Sequence, residues 1–348
     1  MYSLNDLIKN KNIWFKNPDD CLYLTNFESS NLNVFYISGE WYALTDDRYI
    51  EAAKSKIKNM KVINISDFSF KNNFLPKIIE TDNTLYIDEN NFTLREYKNF
   101  KDRYKKIKIL HIDLSNIRTI KNDEEINLIK KACKITDSIF KKFIEYVKPG
   151  ISEKKLEKVI LKLIIESEAD NISFWPIIAA GENSASPHWK ASDYILKKDD
   201  IITLDFGVKY KNYVSDMTRT FAVKNDVSIE EEKIHSLVLR GLNLAIKNAK
   251  VGVEIKKLDE LVRKEFEKEG YEKNFNHALG HGIGINIHEN PLIYSYNSEI
   301  LKENMIITIE PGIYIPGKYG CRIEQDILIK KDKAIELNKA NKNLNLKR

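Results

Sequence analysis

What the chain has little of sets its first bounds. Its 348 residues contain no run of 18 or more apolar side chains, so nothing in it reads as a membrane span. The opening residues, MYSLNDLIKNKNIWF, lack the apolar core of a secretory signal. Cysteine is scarce: Cys21, Cys133 and Cys321 are far apart and odd in number. They predict free thiols in a reducing compartment, and with it a cytoplasmic protein. No tract is rich in glycine or proline, so no low-complexity segment is expected. Charge of one sign is nearly absent as a net quantity: 56 Lys+Arg against 51 Asp+Glu leave +5. The lysines are scattered, which reads as a solvated surface and argues against a nucleic-acid or membrane partner.

What is present is ordinary in bulk and unusual in one place. Hydrophobic residues make up 43% and charged residues 31%, as in a soluble globular protein. The length favours two domains. Three of the six histidines, His277, His281 and His288, fall within Asn276 to Pro291, NHALGHGIGINIHENP. Gly280, Gly282 and Gly284 are interleaved with them. Three glycines in five residues disfavour a helix, and they permit close backbone approach or positive φ. An extended or looped segment that aims several imidazoles into one cleft is expected. A solvated glycine loop that happens to carry histidines is the plainer alternative.

Taken in order, residues 1–118 read as a mixed α/β domain and 119–348 as a second α/β domain. In the first, Val34–Ile37 and Trp41–Thr45 flank Ser38-Gly39-Glu40 as a hairpin. Arg48–Met60 reads as a helix, and 62–65, 85–88 and 107–112 as strands. His111, alone on a strand, reads as structural. Asp113–Asn122 reads as a linker. Asn122 and Glu125 resemble a capping box before an apolar stripe of Ile126, Ile129, Cys133, Phe140, Phe143 and Val147 that should run to Pro149-Gly150. Ser152 should cap a helix to about Glu168. Ile172–Ala180 reads as one strand, then Ile201–Val208 and Tyr213–Val223 as a hairpin. Ser228 should cap a helix to about Ala249, and another follows to about Lys268. Met305–Ile309 and Cys321–Ile329 pair around Pro316-Gly317. The tail after Asp332 is polar and should fray at its end.

The second domain repeats itself. Lys148-Pro149-Gly150-Ile151 matches Lys250-Val251-Gly252-Val253, and Thr203–Val208 matches Thr308–Ile313. The offsets are 102 and 105 residues. A duplicated unit with a site between its copies is predicted.

Each hairpin of that domain carries two acids: Asp205 and Asp216, then Glu310 and Glu324. A turn centred between Tyr210 and Lys211 would set Asp205 opposite Asp216. One centred on Gly317 would set Glu310 opposite Glu324. Facing carboxylates roughly 5 Å apart repel and, when buried, need shared protons or bound cations. Four carboxylates balance two divalent ions. With one histidine, such an oxygen-rich set suits Mn, Co, Fe or Zn. Two unrelated pairs of surface acids are the alternative.

The set Asp205, Asp216, His281, Glu310 and Glu324 resembles the dinuclear site of the pita-bread metallopeptidases, which include methionine aminopeptidase, Xaa-Pro aminopeptidase and Xaa-Pro dipeptidase. The words that carry it are LDFG (204–207), SDMTRT (215–220), GHGIG (280–284), IEPGIY (309–314) and RIEQD (322–326). YLTNF (23–27), LTDDRYIEAA (44–53) and IRTIKNDEEINLIKKA (117–132) resemble the N-terminal half and junction of the Xaa-Pro branch. The resemblance implies a creatinase-like domain over 1–118 and a pseudo-symmetric pita-bread catalytic domain over 119–348. It implies two divalent ions, manganese foremost and cobalt or zinc as alternatives. Asp216 and Glu324 would bridge them, with Asp205 on one ion and His281 and Glu310 on the other. It implies further roles for His188, His277 and His288, and for Arg322 in supporting Glu324. His188, Trp189 and His277 would surround the proline ring. The expected activity is removal of the N-terminal residue from Xaa-Pro peptides by a metal-bridging hydroxide, in a homodimer. Xaa-Pro dipeptidase is the alternative, then methionine aminopeptidase-like activity, a non-catalytic binding homologue, or a metal-free amidinohydrolase. Asn26, Cys321 and Gln325 depart from the pattern without touching a ligand; Cys321 reads as a buried inert thiol rather than an oxidation-sensitive one.

Overall fold

Short apolar runs between turn residues build the sheet of the N-terminal unit. The structure, a computed structural model, describes residues 4–66, 83–224 and 227–346. Two units separate by their internal contacts, Met1–Arg118 and Thr119–Arg348.

The first unit holds a six-stranded mixed sheet in the order Lys61–Asn64, Glu40–Thr45, Leu32–Ile37, Ile13–Phe15, Thr84–Ile87, Lys108–His111. Its central hairpin turns at Ser38-Gly39, both at positive φ, the two-residue geometry that matches strand twist. The strand Ile13–Phe15 was not legible in advance, since three residues are too few to show alternation. The helices Pro18–Thr25, capped by Asn17, and Leu94–Arg103, opened by a Thr93/Glu96 capping box, are further elements beyond the sequence reading. The helix expected over Arg48–Met60 shortens to Ile50–Lys56. His111 is exposed, 3.2 Å from Glu89, and belongs to no cluster.

In the second unit the capping box at Asn122/Glu125 opens the helix Asp123–Phe143, and its predicted stripe is buried. The helix stops at Phe143, short of Pro149-Gly150, and passes into a 3-10 turn over Ile144–Tyr146. Ser152 caps Glu153–Ile165. The single strand expected over Ile172–Ala180 is two, Asn171–Ile172 and Ile177–Ala180. Pro176, which offers no ladder N–H, lies in the break. The second half repeats the order: helices Ile229–Asn248 and Ile255–Glu267, then strands Gly280–Gly282, Ile306–Ile309 and Gln325–Ile329.

The duplication reaches individual hydrogen bonds. Gly150 and Gly252 share φ +86°. Gly150 N–H donates to Leu196 O, and Gly252 N–H to Leu301 O, both at 2.9 Å. Leu196 and Leu301 return the bond to Ile151 and Val253 at 2.9 and 2.8 Å. Each copy has its own apolar core.

The hairpin registers differ from expectation in one case. Asp205 pairs with Thr218, not Asp216. The turn sits at Lys211-Asn212, both at positive φ, one position later than predicted, so the register moves by two. A shift of two preserves the face, and Asp216 lies diagonal to Asp205 on the same side. In the second hairpin Ile309↔Gln325 and Gly312↔Arg322 share one register. It brings Glu310 opposite Glu324, with Gly317 at the turn.

Most of the polar tail is built into the domain. Ala334–Glu336 is a strand against Gln325–Ile329, and Leu337, Asn338, Leu344 and Leu346 are buried. The end of the tail, where fraying is expected, is residues 347–348 and lies outside the described residues. Among the described residues no helix is long and apolar enough to cross a membrane.

Candidate metallopeptidase active site

One cavity of about 460 Å³ is lined by all nine residues singled out for chemistry: His188, Asp205, Asp216, His277, His281, His288, Glu310, Arg322 and Glu324. The acids sit where paired strands end or cross. Asp205 is in the strand Ile201–Phe206, Asp216 directly precedes Met217–Ala222, Glu310 follows Ile306–Ile309, and Glu324 precedes Gln325–Ile329. His281 is the middle residue of Gly280–Gly282. The glycines of this strand serve close approach, not positive φ: a Cβ on Gly280 would lie 2.1 Å from Thr308 O.

Ligand atoms of Asp216, His281 and Glu324 all lie within 4.8 Å of one another. His281 Nε2 is 3.7 Å from Asp216 Oδ2 and 3.6 Å from Glu310 Oε1. Its Nδ1 lies 3.0 Å from Gly282 O. Nδ1–H therefore donates there, and the Nε2 lone pair faces the acids. Burial, then neighbouring His288, holds this imidazole neutral, with its pKa lowered to about 4.

The carboxylates are strained by their own company. Burial, then Glu324 and Asp205, pushes Asp216 well above the usual carboxylate range. Burial, then Glu310 and Asp205, does the same to Glu324. Burial raises Glu310 to about 8, against the opposing pull of Arg322. Asp205 Oδ1, Asp216 Oδ1 and Glu324 Oε1 are buried with no hydrogen-bond partner. Orphaned buried acceptors of this kind are costly. A neutral imidazole lone pair beside them adds no proton. The donor set therefore fits divalent cations.

Neighbouring side chains orient the acids, and Arg322 reaches two of them. Its Nη2 donates to Asp205 Oδ2 at 2.7 Å, and its Nε to Thr218 Oγ1 at 3.1 Å. Thr218 donates in turn to Glu324 Oε2 at 2.8 Å. Arg322 thus binds Asp205 directly and supports Glu324 through Thr218 and through its nearby charge. Asp326, also not singled out, accepts the Asp216 backbone N–H at 3.0 Å, and Cys133 Sγ donates to it at 3.3 Å. Nothing in composition or spacing distinguishes Thr218 or Asp326 from their neighbours, apart from their place inside the motif words.

His277 is fully occupied. Nδ1 lies 2.8 Å from Ala278 O, and Nε2 lies 3.0 Å from the hydroxyl of Tyr314, which accepts from Arg322 Nη1 at 2.8 Å. Burial, then Arg322, lowers its pKa to about 4. It enters the site as a neutral wall. His288 packs edge to face on His281, with ring centroids 4.5 Å apart; it and His188 are exposed at the mouth. Trp189 is not a cavity wall: its indole N–H is turned to Glu153 Oε2 at 2.9 Å. Phe174 and Trp175 line the cavity instead, Trp175 being 60% exposed. The interrupted strand at Pro176 puts them there, and reading 172–180 as one strand hid them. Cys321 is buried, and burial pushes its thiol up to about 12, so it is inert.

A duplicated α/β unit closing on three buried acids, the half-buried Glu310 and a neutral histidine defines a metal-dependent hydrolase. Residues 127–331 match metallopeptidase family M24, and the chain belongs to that family: it is a metal-dependent peptidase with a pita-bread catalytic fold. Residues 9–120 match the creatinase/prolidase N-terminal domain. The chain is 34% identical to the Xaa-Pro dipeptidase of Pyrococcus furiosus over 334 residues, 91% of this chain and 94% of the relative. It is similar to the crystal structure of X-Pro aminopeptidase from Thermotoga maritima, with TM-score 0.89, 30% identity and 97% and 98% of the two chains covered. It is likewise similar to the structure of Xaa-Pro dipeptidase from Bacillus anthracis, with TM-score 0.91, 30% identity and coverage of 96% and 94%.

Proposed function

We propose that this peptidase removes the N-terminal residue from peptides whose second residue is proline. The observation that carries the hydrolytic reading is the single cavity in which nine chemically apt residues meet and three carboxylate oxygens lack partners. The proline preference rests on the relatives, which are named as Xaa-Pro aminopeptidases and dipeptidases. Between those two, the cavity supports the aminopeptidase. A dipeptide places its carboxylate next to the proline, and such a group calls for a cation. Among the described residues lining the cavity there is no lysine, and the arginine is spent on Asp205, Thr218 and Tyr314.

Asp216 and Glu324 would hold both of two divalent ions, Asp205 one, and His281 with Glu310 the other; manganese is the first candidate, with cobalt or zinc as alternatives. When bound, the ions supply Lewis acidity and a water acidified toward neutral pH. Glu310 accepts the proton of the attacking water and passes it to the leaving nitrogen. His288 and His188 stand at the mouth to donate to the developing oxyanion. Arg322 fixes Asp205 and, through Thr218, Glu324. His277 and Trp175 flank the ring. An Xaa-Pro bond has no N–H, so a site that grips the carbonyl suits it. We assign residues 1–118 to assembly of a homodimer and 119–348 to catalysis, in a cytoplasmic protein whose partner is a peptide and not nucleic acid or membrane.

Ala-Pro, Ala-Pro-Ala and Met-Ala-Ala assayed side by side test this. Ala-Pro-Ala should be the best substrate. Cleavage of Ala-Pro alone would shift the assignment to dipeptidase, and cleavage of Met-Ala-Ala with neither proline peptide would overturn the specificity.

A further inference from the structure

Lys121 is a charged residue with no place in the chemistry above, yet it is only 1% exposed, and its Nζ lies 3.1 Å from Glu289 Oε2, itself 3% exposed. The backbone around Lys121 is anchored. Ile120 bridges to Met305, and Lys121 N–H donates to Asn304 O at 3.0 Å. Glu289 directly follows His288. Its Oε1 accepts the backbone N–H groups of Ile285 at 3.0 Å and Asn286 at 3.1 Å. Gly284 lies flush against the same carboxylate, where a Cβ would come within 2.5 Å of Oε2. Gly284 O in turn accepts from Val214 N–H at 2.9 Å. The turn that carries His288 is thus folded around one carboxylate, and the Lys121 ammonium lies against that carboxylate from behind.

A buried lysine and a buried glutamate each cost several kcal/mol to desolvate, so the pair is a poor device for stability alone. Its best-attested use is to select one geometry. We propose that Lys121 is a positioning residue: paired with Glu289, it sets the turn 283–288 and thereby the place of His288 at the cavity mouth. The functional side of this rests on the role assigned to His288 above; the structural side does not.

The test uses full-length, metal-loaded protein and the variants Lys121→Met, Glu289→Gln and the double variant. It reads hydrogen exchange over 283–289, metal content, kcat and KM. In Lys121→Met, exchange at Ile285 and Asn286 should rise by about tenfold or more as the turn opens locally. With unchanged metal content, kcat should fall by about 10- to 100-fold, the scale of a 1 Å misplacement, while KM moves less than about threefold. The double variant keeps an amide oxygen for both N–H groups and removes the two facing charges together, while Glu125, whose carboxyl also feels Lys121, stays held by Asn122 N–H and Tyr213 Oη–H; it should recover most of kcat, and a general packing role would not be rescued by removing both charges. If Lys121→Met fails to fold, Glu289→Gln should show the same rise in exchange. Unchanged exchange in a folded, metal-loaded single variant overturns the clamp, as does a loss of activity traced to lost metal. A His288→Ala variant with full kcat, alongside a loosened turn in Lys121→Met, would instead remove the role of His288 and leave the clamp standing.

Discussion

Thr218 shows how much of a site is carried by residues with no chemistry of their own. It accepts from Arg322 and donates to Glu324, so one hydroxyl relays orientation between two acids of different hairpins. The acids and histidines were legible in the sequence because clustered ionisable groups in apolar surroundings have few other uses. Thr218, Tyr314 and Asp326 were not, since a hydroxyl or a further acid has many. Trp189 was misassigned because an aromatic beside a site histidine reads as a wall, whereas its indole N–H had a buried carboxylate to satisfy. The division between holding metal and moving protons is testable with one pair of variants. Asp216→Ala should lose most bound metal in elemental analysis. His288→Ala should retain it and lose kcat by roughly 10²-fold or more, the size of acid–base and oxyanion terms. Metal loss in His288→Ala, or full metal in Asp216→Ala, would reverse the assignments.

Among the elements, the hairpins decide which acids meet. The second was readable because Pro316-Gly317 marks its turn. In the first, Lys211 and Asn212 gave no comparable signal, and the turn fell one place late. The error cost nothing in function, because a two-residue slip returns every side chain to the same face. A one-residue slip would have sent Asp216 away from the cavity. The observed register needs Gly207: between Ile201–Phe206 and Val208–Tyr210, a Cβ there would sit 1.8 Å from Ser215 O. Backbone cannot yield as a side-chain tip can, so Gly207→Ala should destabilise by about 1–3 kcal/mol, as overpacking does, with reduced metal binding. A thermal midpoint and metal content equal to the parent's would refute this account of the crossing.

The whole molecule balances two sets of buried groups against pH. Without metal, Glu310, with a pKa of about 8, and the raised Asp216 and Glu324 bind protons more tightly folded than unfolded. Stability tied to them is lost as pH rises from their unfolded values toward the folded ones. His277 and His281, lowered to about 4 from 6.5, act in the opposite sense, and their contribution is complete by about pH 6.5. Above that point the acids act alone. The thermal midpoint of chelated protein should therefore drop between pH 6.5 and 8, and added Mn should restore it; a flat profile over that interval would contradict the buried-acid account. The duplication behind this arrangement was legible from two short repeated words, because the same turn at Gly150 and Gly252 needs the same residues. The closing strand Ala334–Glu336 was not, since a polar run gives no sign of the sheet edge it covers.

Asp216 and Glu324 stand about a hundred residues apart in the chain, one in each copy of the repeat. A cation gripped by both is a cross-link. It ties the two copies as a disulfide would, and closing so long a loop removes unfolded-chain entropy worth roughly 3–5 kcal/mol. The three cysteines are all free thiols and supply no such staple. An ion held there would serve instead, and reversibly: the free metal level around the protein would set how firmly the two copies are fastened.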